Sequence, residues 1–218
     1  MVESKVMTTP MESSLKLSGD GGKLLKDSTM FRKIIGSLFY LTFTRPDIAY
    51  SIGVISQFMD KPCYPHLIAA KKILRYVKGT QSYGLMYKKF KPFDLSGFID
   101  ADWAGDVNTR CSTIGFYFTT GSVAISWCSK KQNTVALSSC EAEYMAATMA
   151  TQECLWIKRL MEEILVPIRN AIPISCDNEN DNAADVFTKP LAKAKFEVFR
   201  EPLGIIDRKF ALREDVAS

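Results

Sequence analysis

Apolar and polar residues follow two different periods along the chain, and the change of period divides it near residue 93. Between residues 28 and 90, apolar residues recur three or four positions apart, which is typical of amphipathic helices. The clearest stripe consists of Ile48, Ile52, Ile55 and Met59. Thr44 precedes this stripe as a candidate N-cap, and a second helix is expected to stop at Gly79. The first part of the chain is therefore predicted to be helical.

From about residue 83 the period becomes two, which indicates strands. Residues 94–101 form one alternating run, and residues 112–132 are typical of a hairpin that turns at Thr120-Gly121-Ser122. Residues 139–165 return to helical spacing, and Ser138 and Glu141 before and within this stretch have the spacing of a capping box. The predicted core stripe of this helix consists of Met145, Met149, Trp156, Leu160 and Ile164.

The resulting order of elements is strand, strand, strand, helix, strand, helix. The fourth strand is "IPISCDN", which ends on Asp177, and helical patterns interrupted near Pro190 follow it. This order predicts an α/β protein with a mixed sheet, in which the first and fourth strands can lie side by side. Four regions follow from these patterns. They are a polar, flexible segment 1–27, a helical region 28–93, an α/β region 94–203 and a tail 204–218.

Composition narrows the class of protein. The six cysteines form no C-x-x-C pair and His66 is the single histidine, which argues against a Cys/His zinc site and favours buried thiols in a reducing compartment. We find no apolar run long enough to cross a bilayer, and the first residues lack the apolar centre of a secretory signal. We therefore expect an intracellular protein, cytoplasmic or nuclear, without a membrane partner.

The charge is unevenly distributed. The net charge is +4, but residues 1–93 carry 15 basic and 6 acidic side chains, whereas residues 94–218 carry 13 basic and 18 acidic ones. A basic half beside an acidic half suits a nucleic-acid-facing module joined to a cation-binding one, although an unevenly charged solvated surface has the same pattern. The same two interpretations, phosphate contact or solvated face, apply to the basic residues of the second helix. These are Lys71, Lys72, Arg75 and Lys78.

Four acidic residues stand out by position. Asp100 and Asp177 end predicted strands, and Glu143 and Asp185 lie in the helices that follow. Carboxylates at strand ends of an α/β sheet can gather around a cation, since clustered negative charges otherwise repel one another. The alternative is that these acids form turns, where Asp is common.

A resemblance to a known family favours the first alternative. "GFIDADWAGD", "STIGFYF", "AISWCSKKQNTVALSSCEAEYMAA", "CDN" and "ADVFTKPL" resemble, in this order, the ribonuclease H region of copia-type retrotransposon polyproteins. Upstream, "FRKIIGSLFYLTFTRPDIAYSIGVISQFM" and "AAKKILRYVKGTQSYGLMY" are similar to the end of the preceding reverse transcriptase. The resemblance extends from about residue 28 to about residue 203, which covers the helical and α/β regions.

The resemblance implies a fold, a site and a reaction. The family has a ribonuclease H fold in which a D-E-D-D set binds two Mg²⁺ ions, with Mn²⁺ as a substitute, and hydrolyses the RNA strand of RNA–DNA hybrids. Matched motif by motif, the set in this chain consists of Asp100, Glu143, Asp177 and Asp185. Asp102 is expected to be a turn or supporting residue. Residues near the hairpin are expected to contact hybrid phosphates. They are Arg110, Lys130, Lys131 and Gln132. Other retroelement Pol segments are implied as partners.

The chain also departs from the family. Only seven residues, "NENDNAA", separate Asp177 from Asp185, and they are too few for the helix and last strand that the family has there. We therefore expect an internally truncated ribonuclease H-like sheet that lacks its last strand. The polymerase motif of the family is absent from this sequence. Three hypotheses follow: a weakened ribonuclease H, a non-catalytic remnant that at most binds nucleic acid, and an unstable remnant without function.

Overall fold

Three helices form the first part of the structure, a computed structural model that describes residues 4–19, 21–88, 94–166, 168, 170–176 and 182–209. They are α1 (Thr29–Leu41), α2 (Ala49–Ser56) and α3 (Tyr64–Gly79). As predicted, α3 ends at Gly79. Thr44 is not the N-cap of α2, because its hydroxyl donates to the Leu41 carbonyl, 3.3 Å away. The chain instead enters α2 through a 3₁₀ turn over Pro46–Ile48.

The segment before α1, predicted to be flexible, lies against α3 where the structure describes it. Met11 and Leu17 are buried in the core. Glu12 forms an ion pair with Lys72 on α3, with 2.5 Å between Oε1 and Nζ. The Nε2 atom of His66, near the start of α3, lies 3.1 Å from the Ser18 carbonyl oxygen. Polar composition alone therefore did not reveal the few apolar anchors of this segment.

The main sheet has four strands, namely β2 (Ser96–Asp102), β3 (Thr113–Thr119), β4 (Ala124–Lys131) and β5 (Ile174–Cys176). Their order is β4-β3-β2-β5. Strands β2, β3 and β4 are antiparallel neighbours, whereas β5 is parallel to β2. The predicted adjacency of the first and fourth strands of this region is confirmed, since Ile99 pairs with Cys176. The protein is thus a mixed α/β structure preceded by a helical segment.

The long helix α4 (Ser139–Glu163) packs on β2 and β3. Ser138 caps it, because the Ser138 hydroxyl accepts from the Glu141 amide at 3.2 Å. Its fully buried residues are Ala142, Ala146, Ala150, Cys154 and Ile157. Met145 and Met149 of the predicted stripe are partly buried and pack at the same interface. Trp156 and Ile164 of the predicted stripe are 56% and 57% exposed. Small residues form the contact because they let the helix backbone approach the aromatic side chains of the sheet closely.

The chain returns to the helical segment after β5. A 3₁₀ helix (Ala183–Phe187), α5 (Lys193–Arg200) and the short strand β6 (Ile205–Asp207) follow in sequence. Strand β6 pairs antiparallel with β1 (Tyr83–Leu85), which continues from α3. The first residues of the predicted tail 204–218 therefore belong to a two-stranded sheet.

One hydrophobic cluster joins both halves of the chain. It contains Phe31, Ile52 and Ile73 from the helices together with Tyr117 of β3 and Phe187 of the 3₁₀ helix. A second cluster lies between the other face of the sheet and α4. The predicted boundary at residue 93 lies outside the described residues, and the regions on either side share the first cluster. Among the residues described here, no helix is both long and apolar enough to cross a membrane.

Candidate active site

Asp100 and Asp185 lie side by side at the surface of the sheet. Strand β2 carries Asp100, and the 3₁₀ helix carries Asp185, whose residue is only 5% exposed. The two carboxyl groups face the same Lys189 ammonium, which lies 2.9 Å from Asp185 Oδ1 and 3.8 Å from Asp100 Oδ2. The Thr188 hydroxyl, one turn after Asp185, donates to Asp100 Oδ2. The short interval before Asp185 therefore lets this acid reach Asp100.

Asn182 holds the 3₁₀ helix in this place. Its side-chain Nδ2 donates to the Ile99 carbonyl at 2.7 Å, one residue before Asp100. Its Oδ1 accepts from the Ala184 amide at 3.0 Å and so caps the 3₁₀ helix. One buried side chain thus fixes the start of the helix to the strand that carries the other acid.

Gly115 makes the space that the 3₁₀ helix occupies. It pairs with Asp100 across β2 and β3. A Cβ atom at this position would lie 2.6 Å from Thr188 Cγ2 and 2.8 Å from Phe187 Cβ, closer than side chains can approach. The absence of a side chain on this strand residue is therefore a condition for the contact between Thr188 and Asp100.

Two lysines neutralise the acid pair. Lys189 Nζ lies 2.9 Å from Asp185 Oδ1 and 3.8 Å from Asp100 Oδ2. Lys195 Nζ, on α5, lies 2.8 Å from the other Asp185 oxygen, Oδ2. Each carboxyl group therefore has at least one cation within ion-pair distance.

The local electrostatics reflect burial as well as charge. Burial raises the pKa of Asp100 above its ordinary value, and the Asp185 carboxyl adds to this rise, although the Thr188 hydroxyl and the Lys189 ammonium oppose it. Burial alone lowers the pKa of Lys189, but the hydrogen bond to Asp185 and the surrounding carboxylates raise it overall. Lys189 therefore stays protonated at neutral pH, while the carboxyl of Asp100 gains less from ionising than an exposed one.

Asp102 lies at the end of β2, beside this pair and near enough to Lys189 for the ammonium charge to oppose the rise of its pKa. Burial raises its pKa, and the Asp100 and Asp185 charges contribute to the rise. Gly105 lies against its carboxyl group, since a Cβ there would be 1.9 Å from Asp102 Oδ2. Asp102 is thus a neighbour of the acid pair.

The structure brings together two of the four predicted acids. Glu143 lies in the second turn of α4, partly exposed. Asp177 lies outside the described residues, and the strand before it ends at Cys176, whose partner Ile99 directly precedes Asp100. Within the described ranges, no group of three or more His, Cys, Asp or Glu side chains is arranged to hold a metal ion.

The predicted nucleic-acid contacts near the hairpin differ in accessibility. Arg110 and Lys130 are exposed. Lys131 pairs with Asp106, with 2.8 Å between Nζ and Oδ2, and donates to Gln57 Oε1 at 3.1 Å. Gln132 is 5% exposed, and its Nε2 donates to the Ala142 carbonyl at 3.1 Å. A phosphate contact through the Gln132 side chain is therefore wrong for this structure, because that side chain holds the start of α4 to the hairpin.

The basic residues of α3 also divide. Lys71 is exposed and Arg75 is partly buried. Lys78 donates to the Ser4 carbonyl at 2.9 Å. Lys72 is only 5% exposed and pairs with Glu12. As a phosphate contact, Lys72 is wrong for this structure because the N-terminal segment covers it.

Sequence reasoning missed the residues that assemble the acid pair. Thr188 and Lys189 follow Asp185 by three and four positions, the spacing that places side chains on one side of a helical turn. Gly115 interrupts an apolar strand, which is a signal for close backbone approach. Asn182 is a favoured N-cap residue type. Each signal was present, but each has a common structural explanation that involves no site.

Known proteins that are similar to the chain include plant transposon polyproteins. Over 94% of its length, the chain is 37% identical to the retrovirus-related Pol polyprotein from transposon RE1 of Arabidopsis thaliana and 33% identical to that from transposon TNT 1-94 of Nicotiana tabacum. It spans 17% and 19% of these relatives. The secreted RxLR effector protein 161 of Plasmopara viticola is 51% identical over 56% of the chain and 87% of its own length. No protein-family model and no solved structure matches the chain.

The alignment lengths reveal a difference in size. The alignment with the RE1 polyprotein has 246 positions, whereas 94% of 218 residues is about 205. That relative therefore has about 40 more residues than this chain in the region that the two share. The alignment with the effector has 124 positions for 56% of the chain, about 122 residues, and is nearly balanced. The RE1 polyprotein therefore has extra residues within the shared region, whereas the effector has almost none.

Proposed function

Since this chain belongs to the retrovirus-related Pol polyproteins of copia-type transposons, we propose that it is a truncated ribonuclease H-like region of such a polyprotein. Its proposed reaction is the metal-dependent hydrolysis of the RNA strand of an RNA–DNA hybrid. The observation that carries this proposal is that Asp100 and Asp185, on two separate elements, both lie within ion-pair distance of one ammonium group, that of Lys189. Two acids that would repel each other are brought together where a cation can bind both.

The topology supports the same proposal. The family resemblance implies a mixed sheet with helices, and the sheet here has three antiparallel strands and a fourth strand parallel to the first. The excess of about 40 residues in the RE1 polyprotein supports an internal deletion. We infer that the deletion removed the last strand of this sheet and left Asp100 and Asp185 in contact.

The donor set fits a divalent cation. Mg²⁺ prefers oxygen ligands, and Asp100 and Asp185 supply carboxylate oxygens that face the same cation position, which the Lys189 ammonium now borders. Glu143 and Asp177 are the remaining proposed ligands. Two Mg²⁺ or Mn²⁺ ions held by these residues would supply the positive charge that phosphodiester cleavage needs at its attacking and leaving oxygens. The Thr188 hydroxyl orients Asp100, and Asn182 holds Asp185 in reach.

Cleavage of a labelled RNA–DNA hybrid with Mg²⁺ tests this function. The full chain is compared with Asp100→Asn, which keeps the shape of the side chain but removes its charge, and with Asp60→Asn as a control on an exposed turn. We expect cleavage by the parent and by Asp60→Asn, and a loss of about 100-fold or more in Asp100→Asn. Equal cleavage by the parent and Asp100→Asn would falsify the proposed site.

A second candidate function is nucleic-acid binding without cleavage. The observation that favours it is that Lys189 and Lys195 already neutralise Asp185, so the acid pair is stable without a metal. Exposed Lys71, Arg110 and Lys130 then provide phosphate contacts. A folded chain that binds hybrid with an affinity that falls steeply with salt, and that leaves the RNA intact, supports this second function.

A further inference from the structure

Lys189 occupies the position between the two acids of the proposed metal site. Its Nζ lies 2.9 Å from Asp185 Oδ1 and 3.8 Å from Asp100 Oδ2, so one ammonium group faces both carboxyl groups. Lys195 differs, because its Nζ contacts Asp185 Oδ2 on the other side and lies 5.0 Å from the centre of the Phe199 ring. Of the two lysines, Lys189 is the one that links the acids.

The space and the charge that Lys189 supplies are those that a divalent cation needs. A metal ion bound to both carboxylates must approach oxygens of Asp100 and Asp185 at about 2.0–2.6 Å. An ammonium already within ion-pair distance of both would lie against that ion and repel it. The Lys189 side chain is 40% exposed, so it can turn away towards solvent when a metal arrives. The Asp185 side chain is 8% exposed and stays in place.

We propose that Lys189 is the resident counter-cation of the Asp100–Asp185 pair and sets the divalent-ion concentration at which the site fills. This inference rests on the proposed function. In the metal-free chain Lys189 holds the two like charges together, and it must be displaced before a metal ion binds. Lys189 is therefore a positioning residue that keeps the site free of metal at low divalent-ion concentrations.

Direct measurement of Mn²⁺ binding tests this inference without relying on cleavage. Mn²⁺ is titrated by calorimetry into the full chain, into Lys189→Met and into Lys193→Met. Lys193→Met is the matched control, because Lys193 is 58% exposed and pairs with Glu197 rather than with the acid pair. We expect Lys189→Met to bind Mn²⁺ at least about fivefold more tightly than the parent, and Lys193→Met to bind within about twofold of it.

A second variant separates the charge of Lys189 from its hydrogen bond. Lys189→Gln keeps a donor for Asp185 but carries no charge, and we expect it to tighten Mn²⁺ binding in the same direction. The rise in Tm on adding a fixed Mn²⁺ concentration should also be larger in both variants than in the parent, because tighter binding stabilises the folded state more. These readouts remain available if one of the two substitutions prevents folding.

The outcomes distinguish this inference from the proposed function. Equal or weaker Mn²⁺ binding in the Lys189 variants, with clear binding by the parent, overturns the role of Lys189 and leaves the metal site standing. Tighter binding without any hybrid cleavage supports the role of Lys189 and counts against the proposed hydrolase. If neither the parent nor the variants bind Mn²⁺ at millimolar concentration, both the metal site and the role of Lys189 are rejected.

Discussion

Gly115 and Asp100 are paired residues on neighbouring strands, and the side chain that Gly115 lacks leaves the space in which Thr188 reaches the Asp100 carboxyl. Gly115 thus contributes to the acid site by leaving free the space that a Cβ atom would fill. Its effect is steric and local, because the 3₁₀ helix packs directly on the strand at this position. This relationship yields the first prediction.

Gly115→Ala should displace the 3₁₀ helix and loosen the acid pair. The added Cβ meets Thr188 Cγ2 and Phe187 Cβ at 2.6 and 2.8 Å, and overpacking of this kind costs about 1–3 kcal/mol. We expect a lower unfolding midpoint in urea and weaker Mn²⁺ binding. Gly36→Ala is the control, because at an exposed position in α1 with no atom beyond its own stretch of helix within 4 Å of the added Cβ, the variant should gain about 0.5–1 kcal/mol. Equal stability of Gly115→Ala and the parent contradicts the packing described here.

Thr188→Val should shift the pH dependence of metal binding upwards. The Thr188 hydroxyl donates to the Asp100 carboxylate and lowers its pKa, so removing that donor raises the pKa further. A higher pH is then needed to ionise Asp100 for binding. Mn²⁺ affinity measured between pH 4 and pH 8 should therefore rise at a higher pH in the variant than in the parent. Superimposable profiles would show that the hydroxyl has no influence on the Asp100 charge.

Asn182→Ala should destabilise the fold and release the start of the 3₁₀ helix. The substitution removes a buried bond to the Ile99 carbonyl and the cap on the Ala184 amide, which together are expected to cost about 1–3 kcal/mol. Urea unfolding is the measurement. Asn133→Ala, at an exposed position, is the control and should change the free energy of unfolding by less than about 0.5 kcal/mol. A similar change in both variants would show that Asn182 is not an anchor.

The folded chain should lose stability as the pH falls through the range in which His66 ionises. The Cys63 amide donates to His66 Nδ1 at 2.9 Å, so the neutral ring is required, and burial lowers the pKa of His66 below 6.5. At a pH between the two pKa values, His66 is protonated in the unfolded chain but neutral in the folded chain. The stabilisation is complete above pH 6.5 and is lost as the pH decreases towards the folded pKa.

The pH dependence of His66 can be isolated by difference. His66→Gln cannot ionise, so the stability difference between the parent and this variant should decrease between about pH 7 and pH 5.5. Urea midpoints at several pH values within this window provide the measurement. A difference that stays constant with pH would mean that His66 has the same pKa in the folded and unfolded chain.

Periodicity predicted the elements better than it predicted their contacts. The change from helical to alternating spacing gave the strands, and the pairing of Ile99 with Cys176 follows the predicted adjacency. The predicted stripe of α4 was right only in part, because Met145 and Met149 pack against the sheet cluster, whereas Trp156 is 56% exposed and the fully buried residues include Ala142 and Ala146. A hydrophobic pattern weights large side chains, whereas close packing between a helix and an aromatic sheet selects small ones.

The candidate site divides in a similar way. The sequence motifs indicated Asp100 and Asp185, which the structure places together. Lys72 and Gln132 look like surface phosphate contacts in sequence, but both are buried. Lys72 pairs with Glu12, and Gln132 donates to the Ala142 carbonyl. Such pairings depend on the tertiary arrangement, since Glu12 and Lys72 are separated by 60 positions. Charge alone carries no information about which partner covers a given side chain.

The pairing of β1 with β6 has a consequence for the order of folding during synthesis. Leu85 and Ile205 are partners although 120 residues separate them. A ribosome must therefore complete nearly all of the described chain before β1 can acquire its partner strand. Until then, part of the apolar surface of α3 and of the residues after it stays exposed. Exposed apolar surface of this kind makes a nascent chain prone to aggregation and a target for chaperones.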